Sequence, residues 1–542
     1  MKKFISLLKI PILALFFVIC CLLLASCFSP WRGNNATITI SLGSDGSARA
    51  AAYPPEGTVR NELDIQIQMN GPGGTDIFSF PKDRTSIVRS VVPGRWDITV
   101  EASRNGEEYA KGSVSVEIKA GENNSITVPM FRPVPAVVIT GDKWERGVLT
   151  AAVTGLSASP SLIYEWKEYP SGIILYTGPS FTVTAASRGK TIYVELQYPV
   201  NDMVVNSDPV AIHPGIPISN RAELEGIEIN LTTMDGLNDD YILIDNITLS
   251  GSWTPIVSST AYGRSFNGTF DGNGKTITMN ALVSSVNSVA GLFGFIGSGT
   301  VKNLKLAGSM AITASDQLSF IGAVAGQNSG TIRNVSSSVM IELNGNTWSA
   351  GSVQYEVGGI VGRNWGIIEN SYCTGSVTSI YSGPNTGISS SINNAGGISG
   401  NNGIPGVSSK NCWTSGTVVA FSSGDVTPYA GGIVGNLIGG EITGCVALNP
   451  EVTISGSGTY KGRITGNSGG TLSNNYARSD MDDGLGSPFV GGTHNNWFGE
   501  NINPAQYESR SWWQGVGFLF GADESNPWVW DNTARRPKLW FE

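Results

Sequence analysis

The sequence predicts an all-β protein: two β-sandwich domains followed by a right-handed parallel β-helix with an aromatic C-terminal cap. Three observations carry that expectation. A small-residue pair, a branched apolar residue, a glycine, a polar turn and then apolar-x-Asn recur six times between Ala290 and Tyr476, the clearest copy running from Gly358 to Tyr372. The marker glycine stands at Gly294, Gly326, Gly362, Gly400, Gly435 and Gly466, with gaps of 32, 36, 38, 35 and 31 residues. A period of that size means units that bury their apolar faces only by stacking on neighbours. Upstream, short runs of alternating polar and apolar residues separated by turn signals read as sandwich strands. Downstream, residues 481–542 leave the repeat and hold six of the fourteen tryptophans.

At the amino terminus Lys2, Lys3 and Lys9 precede an apolar run from Ile10 to Ala25, ending Leu24-Ala25-Ser26-Cys27. A basic head, a short apolar core and small residues before a cysteine read as a secretory signal over 1–26. Leu-Ala-Ser-Cys resembles the bacterial lipobox, which implies cleavage before Cys27, a diacylglycerol on its sulfur and a lipid-anchored linker over 27–34. Three acyl chains hold a protein at a membrane firmly where one does not. Phe28, where an aspartate would retain a Gram-negative lipoprotein at the inner membrane, implies the outer membrane, with a surface-exposed and a periplasm-facing setting both left open.

Residues 35–132 form the first expected sandwich. Ala36–Ile40 alternates, and Trp96–Glu101, Asn105-Gly106 and Gly112–Ile118 make a strand–turn–strand signal. These segments resemble the prealbumin-like or carboxypeptidase-regulatory-like sandwiches appended to surface proteins. Residues 133–215 form the second. Leu149–Val153, Tyr164–Trp166, Phe181–Thr184 and Gly189–Val194 resemble a bacterial immunoglobulin-like domain, with Trp166 as the core tryptophan facing the opposite sheet. The cysteine pair usual there is absent.

Residues 216–480 are the repeat. Leu292, Val324, Ile360, Ile398, Ile433 and Ile464 stand two before each marker glycine, and Val301, Ile332, Ile368, Val407, Ile442 and Leu472 form a second aligned column. β-Branched residues in short, glycine-bounded segments read as strands, three to a winding. Stacked windings spaced about 4.8 Å apart give a rod of roughly 25–30 Å over six repeats. Asn303, Asn334, Asn370 and Asn474 follow the second column by two; Asn411 stands two places late, and Gly444 replaces asparagine in the fifth copy. Amides at a repeated corner can pair up and down the rod, and asparagine tolerates left-handed corners. The pattern Gly-Gly-Ile-Val-Gly-x-Asn-x-Gly-x-Ile-x-Asn-x-Tyr resembles the GLUG motif of bacterial surface proteins, and Gly268–Thr278 resembles the first strands of such β-helices. The resemblance covers about residues 240–480 and implies a cell-surface, adhesion-type role. The tryptophan-rich segment resembles the closing element of these proteins, covering the exposed last coil.

Formal charge is −9, and −12 once the signal lysines are lost (31 basic against 43 acidic side chains), so nothing favours a nucleic-acid partner. Cys373, Cys412 and Cys445 follow the second column in consecutive windings; Cys412 and Cys445 are placed either to pair across windings or to sit as buried thiols. The only histidines, His213 and His494, lie far apart, His213 reading as a solvated linker residue. No His-Glu-x-x-His occurs, and Asp271–Gly274 reads as a turn, not a phosphate loop. Acidic residues in the repeat do not fall in one column as glycosidase carboxylates would, so no catalytic residue, cofactor or metal is assigned and the chain reads as no enzyme. Asp480–Gly484 could hold calcium but reads as an exposed loop.

The remaining expectation is binding. Insertions after the third strand should emerge along one edge and carry Trp348, Tyr355, Tyr381, Phe421, Tyr429 and Tyr460, aromatics suited to a host or matrix glycan or protein. Tyr429 and Tyr460 could instead simply stack on the rod. A second arrangement would use Trp512, Trp513, Trp528 and Trp530 as a carbohydrate platform. A carbohydrate-active lyase or hydrolase and a purely structural envelope component are the alternatives to an adhesin-like binding protein.

Overall fold

Alternation of apolar and polar residues governs the amino-terminal strands, as it must where one face of each sheet packs on the other. A computed structural model describes residues 36–43, 58–156, 161–200, 202–229, 235–258, 264–346, 351–388, 390–458 and 460–542. The expected signal segment, Cys27 and Trp348 lie outside them. Ala36–Gly43 pairs antiparallel with Ser86–Val91 and parallel with Asn123–Pro129. The facing sheet runs in the order Gly74–Ser79, Asp64–Gly71, Gly94–Arg104, Glu107–Ile118. Ile38, Ile40, Ile65, Ile67, Trp96, Ile98 and Val100 fill the space between. The Asn105-Gly106 turn has φ of 55° and 84°, the two positive values that a tight hairpin needs.

In the second sandwich Ala136–Gly141, Val148–Thr154 and Ser180–Thr182 make one sheet, and Ile163–Glu168 with Thr191–Tyr198 centre the other. Trp166 is fully buried, stacks on Phe181 of the opposite sheet at 5.7 Å and donates its indole N–H to the Gly178 carbonyl. Burial of that ring and its satisfied polar edge do the work of the absent disulfide. The chain clusters into two compact units, one holding most residues up to 211 and the other residues 212–542.

The second unit is a β-solenoid of about six windings, followed by its aromatic segment. Each winding has more corners than the apolar columns reveal: in the third, Gln354–Gly358, Val361–Asn364, Ile367–Glu369, Tyr372–Cys373 and Val377–Tyr381 are five segments, not three. The marker glycines sit where backbones meet. A Cβ on Gly362 would lie 2.4 Å from the Ile321 nitrogen, and one on Gly400 2.5 Å from that of Val357.

The first apolar column is continuous. Backbone bonds run from Val324 to Ile360, Ile360 to Ile398, Ile398 to Ile433 and Ile433 to Ile464, and all five side chains are fully buried. Each buried aliphatic contributes about 1.5–3 kcal/mol relative to exposure. The second column needs one correction. Ile368 pairs with Ser409, which pairs with Ile442, so Ser409 and not Val407 fills the fourth slot. The insertion around Pro405 adds two residues ahead of the strand, and the Ser409 hydroxyl accepts from the Asn402 amide instead of packing as a hydrocarbon. Asn411 is therefore in step with the other corner asparagines. Asn303, Asn334, Asn370, Asn411 and Asn474 all have φ between 48° and 54°, and Gly444 completes the set at 65°. Amide pairing along them is confined to the start, where Asn334 donates to Asn303 and Asn303 to Asp271. A second ladder, Asn328 to Asn364 to Asn402, runs inside the rod.

The beginning of the solenoid is covered by an α-helix, Arg221–Ile229, absent from the sequence expectation. Asn220 accepts from the Glu223 N–H while Glu223 accepts from Ser219, which fixes its amino end, and Leu224 and Ile227 enter the core. His213 is likewise no free linker residue: its Nε2 lies 3.6 Å from Asp271, and its Nδ1 accepts from the Gly215 N–H.

At the other end, residues 481–502 provide the cover. Trp497 accepts backbone bonds from Ile464 and Thr465, and fully buried Arg463 donates to the carbonyls of Arg478, Gly491 and Gly499. Burial lowers the Arg463 pKa to about 10.

Residues 503–542, expected over the last coil, instead run back along a flank. Glu524 pairs with Lys302 and Arg333, Glu542 accepts from Ser336 and Tyr372, and Asn474 donates to the Val516 carbonyl. The reason is an outward column, Ser336, Tyr372, Trp413, Val446 and Tyr476, in register on successive windings. That apolar stripe needs a cover, and the tryptophans supply it.

Candidate functional site

Two outward columns flank the marker glycines. Six residues before each glycine stand Phe320, Glu356, Asn394, Tyr429 and Tyr460, paired in register from one winding to the next. They alternate with inward Tyr355 and Val357, so they face away from the core. One residue after each glycine stand Phe295, Gln327, Arg363, Asn401 and Asn436, also in register, and Asn467 extends them by donating to Asn436 at 3.1 Å. The chain turns sharply between the two strands, so the columns face each other across a trough parallel to the stacking direction.

The trough has a charged end and a neutral one. In the third winding Glu356, fully buried, receives two bonds from Arg363 at 2.7 and 2.8 Å and one from Asn401 at 2.9 Å. The Arg363 guanidinium lies 3.8 Å over the Phe320 ring and 5.5 Å from that of Trp365. Both charges are thus matched within the protein. From the fourth winding onward the two columns hold only asparagine and tyrosine. Tyr429 and Tyr460 stack with centroids 4.7 Å apart and planes 28° from parallel. Burial raises the Tyr429 pKa, with the neighbouring Tyr460 adding to it, while Tyr460 keeps 38% of its surface exposed. Trp365, Ile404 and Ile438 lie two or three residues beyond the second column and are 39%, 46% and 51% exposed.

The aromatics expected on one edge therefore separate. Tyr429 and Tyr460 do stack, and they remain partly open. Phe421 is 37% exposed on Val418–Ser422. Tyr355 and Tyr381 are corrections: both are fully buried, 5.9 Å apart edge to face, with the Tyr381 hydroxyl donating to the Pro384 carbonyl. Each occupies an inward register position, so neither offers a surface to a ligand. The insertions do gather, since Ser382 donates to Gly345 and Ser423 to Tyr381 on successive windings, and Asp425 accepts from the N–H groups of Thr386 and Gly387.

The tryptophan platform does not form either. Trp513 and Trp528 are fully buried against Trp413, Val446 and Phe518, while half-buried Trp512 packs edge-on to Tyr476. A recess of about 420 Å³ beside this segment is lined in part by Tyr372, Trp413, Asp531 and Glu542. Its two carboxylates are already engaged, Asp531 by the N–H groups of Thr533 and Ala534 and Glu542 by Tyr372 and Leu539.

Cys373, Cys412 and Cys445 are buried free thiols. Among the described residues no cluster of three His, Cys, Asp or Glu side chains could hold a metal. In the loop considered for calcium, Asp480 pairs with Arg478, Asp482 accepts from Gly484 and Gly486, and Asp483 lies by Lys461. No helix among the described residues is long and apolar enough to cross a membrane.

Arg363, Asn401, Asn436, Asn467 and Trp365 escaped sequence reasoning. The signal was present: the variable residue directly after each marker glycine carries that column.

Residues 354–378 match the GLUG motif. Over 157 residues, 27% of its length, the chain is 33% identical to halomucin of Haloquadratum walsbyi, and it spans 2% of that protein. A candidate immunoglobulin A1 protease from Bacteroides ovatus is 18% identical, covering 60% of this chain and 93% of its own with a TM-score of 0.42. A candidate adhesin from the same species is 11% identical, covering 32% and 82% with a TM-score of 0.15. These two likenesses are too slight to bear a functional argument.

Proposed function

We propose that this chain is a lipid-anchored cell-envelope protein, acylated at Cys27, that uses its solenoid to bind a glycan or protein ligand at the cell surface. The observation that carries the reading is the Tyr429–Tyr460 stack, half open on a register-locked face beside an amide-rich column. A rigid pair of amphipathic rings offers contact area at little entropic cost. The GLUG motif and the segment shared with halomucin support an envelope setting. Anchoring and the division into a 27–34 linker, two sandwiches and a solenoid follow from the sequence signals given above.

The test uses the whole exported chain with Cys27→Ser, screened on glycan and extracellular-protein arrays. The expected result is at least one specific ligand whose binding falls when Tyr429 and Tyr460 are both changed to alanine. Ligands that ignore that change would move binding away from these tyrosines, and none on either array would leave a structural role.

A further inference from the structure

The trough beside those tyrosines has a more definite chemistry than a general contact surface. Its floor is a row of side-chain amides, Asn401, Asn436 and Asn467, one per winding. An amide carries a donor and an acceptor together, as a sugar hydroxyl does; here the Asn401 Nδ2 is engaged by Glu356 and the Asn467 Nδ2 by the Asn436 Oδ1, and the remaining amide atoms, the Asn401 Oδ1 among them, are those a ligand would meet. Tyr429 and Tyr460 stand on one side, and exposed Trp365, Ile404 and Ile438 follow the floor residues on the other. Apolar walls with a few fixed polar groups are the usual lining of a small-molecule site.

Two features go beyond composition. Asn394, the register partner of Tyr429, is fully buried, and neither its Oδ1 nor its Nδ2 has a hydrogen-bond partner among the described residues. The Asn401 Oδ1, 3% exposed as a residue, is unpartnered as well. Leaving a buried polar group unsatisfied costs about 1–3 kcal/mol, so three such atoms at one place call for an occupant that supplies hydroxyls. The second feature is charge. The only ionic groups of the two columns, Glu356 and Arg363, neutralise each other and close one end, leaving no fixed charge for an acidic or basic ligand in the windings that follow.

We infer that the trough, from Trp365 at the edge of the third winding, where it leans on Gly403 of the fourth, through the sixth winding, binds a neutral, hydroxyl-rich glycan strand lying along the rod. The site recurs at the winding repeat of about 4.8 Å, so a linear polymer meets equivalent amides in succession, with its sugar faces against Tyr429, Tyr460 and Trp365. This rests on the binding role proposed above and names its ligand class.

The experiment is affinity electrophoresis and calorimetry of the full-length Cys27→Ser protein with neutral glucans, mannans, galactans and xylans. Uronate-containing and sulfated polysaccharides and a panel of extracellular-matrix proteins serve as the other arms. Expected is binding to at least one neutral polysaccharide, weakened about tenfold or more by Trp365→Ala and by Tyr429→Ala with Tyr460→Ala. Ile77→Ala, on an exposed position of the first sandwich, leaves it unchanged. Trp365 is exposed, so its variant folds, and circular dichroism of each protein verifies this. Binding only to acidic polysaccharide, or only to protein, overturns the neutral-glycan inference while the binding role stands. Neutral-glycan binding that ignores both trough variants overturns the site. Failure of every arm overturns both.

Discussion

Tyr372 lies face to face with Trp413, ring centroids 4.4 Å apart and planes 7° from parallel, while its hydroxyl donates to Glu542 at 2.7 Å. The two rings occupy one register slot of consecutive windings. The carboxylate that reaches them belongs to a segment 170 residues further along. Stacking, burial and a long-range tether therefore meet at one point.

Trp413→Ala should cost about 3–5 kcal/mol, the usual loss for a buried large aromatic. Urea unfolding followed by intrinsic fluorescence measures it. A loss well under 1 kcal/mol would mean that the returning segment does not depend on this stripe.

Asn370, at φ 48°, tests the left-handed corner. Asn370→Gly should be nearly neutral, whereas Asn370→Val adds the penalty of a side chain in that conformation, about 1–2 kcal/mol. Paired thermal melts compare them. Equal effects would show that the corner amide, not the backbone angle, matters there.

Arg463 holds three carbonyls of the end cover. Arg463→Met keeps most of its bulk but orphans them, and about 1–3 kcal/mol should be lost. Hydrogen exchange should locate the loosening between residues 463 and 502. Protection lost evenly throughout the rod would contradict that local role.

Asp271 gives the chain an acid-sensitive point. Burial opposes its ionisation, but His213, Lys302, the Asn273 N–H and the Asn303 amide outweigh it and hold its pKa below the ordinary value. A carboxyl depressed in the folded state adds stability that is complete above its unfolded pKa, about 3.9. That stability vanishes as pH falls through the folded pKa. Asp271→Asn should be less stable at pH 7 and decline less steeply toward pH 2. Parallel melting curves for the two proteins would sink the assignment.

The thiols should be silent until unfolding. Burial raises the Cys373 pKa to about 11 and pushes that of Cys412 up as well, with Cys445 beside it adding to the effect. Thiolates, not thiols, are alkylated. Native protein should resist iodoacetamide and take up three equivalents on Cys373, Cys412 and Cys445 in guanidinium once its amino-terminal cysteines are removed or substituted. Two equivalents only, restored to three by reductant, would reveal a Cys412–Cys445 bridge.

The first column, from Leu292 to Ile464, was readable because the glycine spacing fixes it in every copy. Val407 misled because an insertion supplied an apolar residue two places before the true slot, and a serine satisfied by an amide filled it. Tyr355 and Tyr381 show a different limit. A period-two pattern gives alternation but not its phase, and glycine-rich insertions conceal which side faces inward. Tyr429 and Tyr460 are legible as aromatics of the insertions, and their shared distance of six residues from the marker glycine accounts for their stacking. The same distance also picks out Glu356 and Asn394, whose polarity hid their kinship with the tyrosines. The Arg221–Ile229 helix had a legible start in Asn220 and Glu223, overshadowed by the strand pattern around it. Nothing local could reveal that Glu524 meets Lys302, 222 positions away.

A coil stack held only by neighbours can fray from either tip, each turn peeling off at modest expense. The returning strap forbids that mode, because Glu524 clasps an early turn while Val516 clasps the last one. Loosening any turn beneath it means first prising off the strap with all its tryptophans. Such a spindle should hold or give way as a whole.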